Sequence, residues 1–356
     1  MRHLSSLGPF RMLCLVAATA VQSSACVGEV REGDEVDSGV NAPGNAEPGS
    51  QLQDAGPGSQ LPDAGPDAGI PDAGSPPSCS NITGDRATQV CLRWKCDRAD
   101  LSEGTWSGAV NGCIAGDLGA SARANSLRLI NLYRFLAELP AVTTDATRNQ
   151  KAQECALMMD ANNSLNHSPP SSWSCYTSGG AEAAGKSNIC SGRAVGCIDL
   201  YMSDSGNATT LGHRRWFLSN QLGSVGIGGT TGGSCHWVIG GSGSANRAWT
   251  AWPPPGPVPL GAIHIPGKSS VDVTGWSVQT YASSANLASA QVTVTDNGQP
   301  APVTVTQLLA NYGSAYAIRF NPQGWTTQAG HTYAVTITAP GLTNPIRYTV
   351  QPVNCP

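Results

Sequence analysis

Four prolines in five residues, Pro253-Pro-Pro-Gly-Pro257, cut this chain in two. Proline locks φ and has no N–H, so neither a helix nor a central strand passes through such a run. The apolar pattern changes across it. Upstream, Leu129, Leu132, Tyr133 and Leu136 recur at helical spacing, as do Ala152, Cys155, Ala156 and Met159. Downstream, Val271–Thr280, Gln291–Thr295, Val303–Leu308, Tyr316–Phe320, Tyr333–Thr338 and Ile346–Val350 alternate apolar with polar residues. The expected class is α+β. A layered helix-and-sheet domain over 116–252 is followed by an all-β sandwich of immunoglobulin-like type over 253–356.

Local signals set the elements. The first helix begins near 118 and ends near Leu139-Pro140. The second starts after Thr144 or Asp145, either a suitable N-cap, and stops at the polar run Asn162-Asn-Ser164. Short strands are expected at Ser224–Gly228, Cys235–Ile239 and Arg247–Trp252. Asp296-Asn-Gly298 is a two-residue hairpin turn.

The N-terminus reads as an export signal over 1–25: Arg2 and Arg11, a short apolar core from Met12 to Val21, then Ser23-Ser-Ala25. Cys26 follows, as in a bacterial lipoprotein cleavage site, and is the expected point of lipidation. Residues 26–78 form a linker built on a Pro-Asp-Ala-Gly repeat at 62–65, 66–69 and 71–74. Little in it can fill a core, so disorder is expected. As flexible coil it would reach ~40 Å, or ~160 Å when drawn out.

Twelve cysteines less Cys14 in the signal leave an odd number, and a lipidated Cys26 restores ten. Those ten are Cys79, Cys91, Cys96, Cys113, Cys155, Cys175, Cys190, Cys197, Cys235 and Cys355, expected as disulfides of unassigned pairing in an oxidising compartment. The first four place a disulfide-stapled segment at 79–115, and their spacing is not that of a zinc knuckle.

Charged residues make up only 12% of the chain, and no basic run or stripe marks a nucleic-acid surface. Ten acids and one base fall in 27–78, which leaves the rest slightly basic. The sequence holds no G-x-S-x-G elbow, H-E-x-x-H, P-loop or dinucleotide fingerprint.

The remaining candidates for chemistry gather in three stretches: Leu165-Asn-His-Ser-Pro-Pro170, Gly179–Ile189 and Asp204–Leu218. They are expected to build one polar cleft holding His167 and His213. Glu182 and Asp204 are the candidate acids. Ser187 is a candidate cleft hydrogen-bonder and Arg214 a candidate anion ligand. His236, His264 and His331 fall within strand patterns and read as structural.

Asn131-Leu-Tyr-Arg134, Asp145, Ala152-Gln153, Ala156, Asn166-His-Ser168, Lys186-Ser-Asn-Ile189, Gly212-His-Arg214 and Val225-Gly-Ile-Gly228 occur in the order of the CAP superfamily, which this region resembles. That group comprises the cysteine-rich secretory proteins, antigen 5 and the pathogenesis-related class 1 proteins. The resemblance implies an extracellular α-β-α sandwich whose cleft carries two histidines, at His167 and His213, and often two acids. The family's Gly-Glu-Asn-Ile is Lys186-Ser-Asn-Ile189 here, so the first acid is lost or displaced to Glu182. The second acid has Asp199 and Asp204 as substitutes.

Two imidazoles and a carboxylate could hold a divalent metal such as zinc with an open position, move a proton, or bind a polar ligand. The expected function is an exported CAP-domain protein whose two-histidine cleft binds a small polar or lipidic ligand, with a divalent metal at His167 and His213 as an option. The first alternative is a secreted hydrolase or peptidase using the cleft histidine and a carboxylate. The second is a structural or adhesive surface protein with partners on the sandwich. The expected location is the bacterial outer membrane or cell surface through the lipid anchor, or the extracellular space.

Overall fold

The computed structural model describes residues 29–31, 82–243 and 245–356. The export signal, Cys26, the linker apart from 29–31, and Cys79 lie outside the described residues. The first elements are β1 (Glu29–Arg31), α1 (Arg86–Asp97), α2 (Ala120–Leu136), α3 (Ala146–Asn162), α4 (Ser178–Ala184) and β2 (Ser187–Ser191). They are followed by α5 (Ala194–Ser203), α6 (Gly212–Phe217), β3 (Gly226–Gly229) and β4 (Ser234–Trp237).

These elements stack in three layers around a sheet of order β1-β2-β4-β3. Strand alternation sends Ile189, Cys235 and Trp237 to one face, against Ala152, Cys155, Ala156, Met158 and Met159 of α3 and Ala183 and Ala184 of α4. Cys190 and Ile227 belong to the core formed with α2, α5 and α6. The close seat of α3 on the sheet depends on two glycines. A Cβ on Gly226 would overlap the backbone of Arg148, and one on Gly228 the backbone of Ala152 and Gln153. Asp145 caps α3, its side chain accepting from Arg148 N, and Asn163 ends it in the left-handed conformation.

β1 falls within the stretch expected to be disordered. It pairs in parallel with β2, Glu29 opposite Ile189 and Arg31 opposite Ser191. The unpaired backbone groups on the outer side of β2 provide the edge that such a strand satisfies.

The second half contains β5 (Trp249–Trp252), β6 (Gly256–Pro259), a 3-10 turn at Leu260–Ala262, α7 (Val271–Thr274), β7 (Trp276–Thr280), β8 (Gln291–Asp296) and β9 (Gln299–Pro300). It closes with β10 (Val303–Gln307), β11 (Tyr316–Pro322), β12 (Tyr333–Thr338) and β13 (Ile346–Val353). Two sheets form, β10-β11-β7-β5 and β6-β13-β12-β8-β9. Trp276 of the first packs edge-on against Tyr333 of the second at 5.7 Å, and Trp249 lies 5.4 Å from Tyr348. The chain is thus α+β, with helices around one sheet followed by a largely antiparallel sandwich. The Asn297-Gly298 turn has both residues at positive φ and joins β8 to β9.

Two further details differ from the sequence expectation. Trp249–Trp252, read as part of the first domain, is hydrogen-bonded to β7 in the sandwich. Its partner is remote in sequence, so the proline run after it does not mark where the sheet begins. Val271–Thr274, read as strand, is one helical turn, capped by the Ser270 side chain and ended by Gly275 at φ +106°. Segment 79–115 is also tied to remote parts of the chain: Cys91 bonds Cys355, and Cys113 bonds Cys175. Cys155–Cys235 and Cys190–Cys197 are the other described pairs, and Cys96 is also in a disulfide.

The two halves share one apolar core running from Leu129 and Tyr133 through Trp252 to Val278, Tyr333 and Val350. Polar seams reinforce it. Arg214 is fully buried and spends its guanidinium on the carbonyls of Met202, Ser203 and Gly275 and the hydroxyl of Thr274, at 2.7–2.8 Å. Arg215 donates to the carbonyl of Leu309 at 2.7 Å and to Ser314 Oγ at 2.9 Å. Burial lowers both guanidinium pKa values to about 10.

Candidate functional site

α5 ends at Asp204, whose backbone takes the left-handed conformation and turns its carboxylate back toward α6. Asp204 Oδ1 lies 2.8 Å from His213 Nδ1 and accepts from Asn207 Nδ2 at 2.8 Å, while Oδ2 accepts from the Arg214 backbone N–H. The Asn207 amide nitrogen also lies 2.7 Å from Nδ1, so carboxylate and amide together hold this edge of the ring. His213 Nε2 is buried and has no hydrogen-bond partner, and the whole side chain is 0% exposed. Tyr201 lies over the imidazole at 4.7 Å between centroids.

His236 joins this enclosure from β4. It stands opposite Asn188 of β2, and Asn188 Nδ2 donates to the His213 carbonyl at 3.2 Å. Tyr201 lies 5.5 Å from the His236 ring. Neither His236 nitrogen makes a well-formed hydrogen bond, although the Ala194 backbone lies near the ring. Burial drives its pKa down to about 3, the Ala194 backbone offsets this in part, and neighbouring His213 adds to it. The structural reading of His236 omitted this contact with the Asp204–His213 pair. The alternation of Ser234 and His236 with Cys235 and Trp237 was the available signal.

His167 lies in the loop after α3. It is half-buried, with Nδ1 2.8 Å from the Ala184 carbonyl at the end of α4. Glu182 faces outward between Lys151 and Lys186, at 2.5 and 2.8 Å, and those cations hold its pKa down to about 2. Ser187 is buried on β2 with no partner for Oγ. Asp204 is therefore the acid brought to His213, while Glu182 is committed to lysines. Arg214, considered for anion binding, is instead enclosed and committed to protein oxygens. Asp199 takes a bidentate bond from Arg98 at 2.7–2.8 Å and one from Tyr133 OH at 2.6 Å.

Among the described residues, no group of three or more His, Cys, Asp or Glu side chains is arranged to hold a metal ion. His264 and His331 sit in loops, each beside a carboxylate, Asp272 and Asp296 respectively.

An open groove of about 420 Å³ lies between the 107–118 hairpin and the first half of α3. Asp117, Arg123, Asn149, Gln150, Gln153 and Glu154 line it. Asn149 and Gln153 also bind the sheet. Ile227 N donates to Asn149 Oδ1, and the Gln153 amide exchanges two bonds with Gly229. Gln150 donates to Glu154 Oε1 at 3.4 Å, Thr177 Oγ1 donates to Oε2 at 2.6 Å, and both side chains border the groove.

The three layers, the Asp145-capped helix and the glycine-spaced β3 define an α-β-α secretory-type domain. Residues 127–239 match the family model described as CAP, the cysteine-rich secretory protein family. This stretch of the chain is a CAP domain. No curated protein matches the chain. The family domain and the disulfides are those of an extracellular or secreted protein. Among the described residues no helix is long and apolar enough to cross a membrane.

Proposed function

We propose that this is an exported CAP-domain protein that acts by binding a small polar ligand rather than by turnover. The carrying observation is the complete enclosure of His213. The imidazole that Asp204 orients for proton transfer has no open path to a substrate. The groove beside α3 is open and lined by amides and charges, which suits a polar ligand better than a lipid.

Native mass spectrometry of the exported chain, beside a Gln150→Ala/Glu154→Ala variant, tests this. A bound small polar mass lost from the variant supports the groove. A mass kept in that variant and lost from His167→Ala places the ligand elsewhere and overturns it.

The Asp204–His213 geometry favours one second reading, a hydrolase whose enclosure opens around substrate. Turnover of a peptide library that disappears in His213→Ala, with the melting temperature preserved, would establish that reading. We also propose that Cys26 carries a lipid anchor at the bacterial outer membrane or cell surface, on the strength of its place directly after the export signal. Equal membrane association of Cys26→Ser would remove that idea. Partner binding through the sandwich is a separate proposal that rests on its exposed strands, and loss of surface adhesion on mutating their outer faces is its test.

A further inference from the structure

A second cavity, of about 260 Å³, opens where the CAP domain meets the sandwich. Trp216 of α6 lines it from one side, with Gln221. Tyr281, Asn311, Gly313 and Ser314 line it from the other. The two sides are fixed in place. Gly313, at φ +70°, lies so close to the backbone of Arg215 and Trp216 that a Cβ would overlap it. Ser219 Oγ donates to the Gly313 carbonyl at 2.6 Å, and Tyr281 OH donates to the Leu218 carbonyl at 2.9 Å. The cavity is therefore pre-formed, which lowers the ordering cost of binding.

Its chemistry is specific. Trp216 is 7% exposed, and its indole N–H is buried without a partner. That nitrogen is enclosed by protein, so Trp216 meets the cavity through its ring and not through its N–H. Next to the lining, Asn220 Oδ1 and Gln279 Oε1 are buried and unpaired as well. Gln221 and Asn311 stand exposed in the lining and offer amide donors and acceptors. No lining side chain is charged, and the terminal nitrogens of the neighbouring Arg215 are committed to Thr210, Leu309 and Ser314. An anion or cation would find no counter-charge. Aromatic rings beside neutral amides suit a molecule with an apolar C–H face and several hydroxyls.

We infer that this interdomain cavity is a binding site for a neutral saccharide residue, with Trp216 and Tyr281 as the aromatic walls and Gln221 and Asn311 as hydroxyl ligands. The site is distinct from the groove on α3 and needs both domains.

Titration calorimetry and tryptophan fluorescence on the full exported chain test it, with glucose, galactose, mannose, N-acetylglucosamine and their short oligomers as probes and glucuronate as a charged control. At least one neutral sugar is expected to bind saturably. Its affinity should fall about tenfold in Gln221→Ala, the size of one lost hydrogen bond, with the melting temperature unchanged. Trp216→Phe, which shortens the aromatic wall, should also weaken binding. Three results overturn the inference: no saturable binding by any neutral sugar, binding of glucuronate alone, or binding unchanged in both variants.

Discussion

Arg214 Nη1 donates to the Gly275 carbonyl at 2.7 Å, which ties α6 of the CAP domain to the residue that opens strand β7 of the sandwich. Both groups are enclosed, and the remaining guanidinium nitrogens bond Met202, Ser203 and Thr274. Removing a charged buried partner strands these oxygens and costs roughly 3–5 kcal/mol. Arg214→Ala is therefore expected to lower stability by about that amount in urea unfolding. Because the core is continuous across the halves, the transition should stay single. Deleting 253–356 should leave no folded CAP domain. Two separate transitions in the intact chain would show that the halves fold independently.

Gly228 carries a second prediction. A Cβ there meets the α3 backbone at Ala152 and Gln153, which cannot move like a side-chain tip. Gly228→Ala should push α3 off the sheet and cost about 1–3 kcal/mol or more. A melting temperature within a degree of the parent would contradict this close seat.

The Cys91–Cys355 bond closes a span of 264 residues between α1 and the C-terminus. On the chain-entropy model such a loop stabilises by roughly 5 kcal/mol. A Cys91→Ala/Cys355→Ala double variant, assayed by chemical denaturation in oxidising buffer, should lose a large part of that. It should lose more than the variant lacking Cys190–Cys197, which closes a separation of only 7.

His236 sets the acid limit. Its folded pKa of about 3 lies below the ordinary value of 6.5, so between these the unfolded chain binds a proton that the folded chain refuses. Stability from this group is complete above pH 6.5 and is lost as pH falls toward 3. Glu182, held near 2 from 4.5, acts only below about 4.5. Between 6.5 and 4.5 the Glu182 contribution is constant. The slope of stability against pH there should flatten in His236→Phe.

Where a signal was local, the sequence carried it. Asp145 announces α3 because an N-cap needs only its own next turn, and Asn297-Gly298 announces a hairpin because both turn residues need positive φ. The order of CAP-like motifs located the three-layer domain. What escaped depends on distant partners. Arg214 was a candidate anion ligand, since nothing near it shows that a carbonyl 61 residues away will help to enclose it. β5 joined the sandwich through β7. α1 has few apolar positions and takes its place through Cys91 and the exposed ring of contacts with Phe135, where Arg86 and Arg93 lie over the aromatic face. His213 looked open beside Gly212. The left-handed turn at Asp204 closes over it, and residue spacing does not display that turn.

The enclosed histidine is the centre of this account, and exchange of imidazole C2 hydrogens with solvent deuterium, read residue by residue by mass spectrometry, tests it directly. His213 and His236 should exchange far more slowly than half-buried His167 and His331 across the titration range. Rapid exchange at His213, rising and saturating with pH as at a solvent-facing histidine, would show that the pair with Asp204 is open and would return it to the role of a catalytic base.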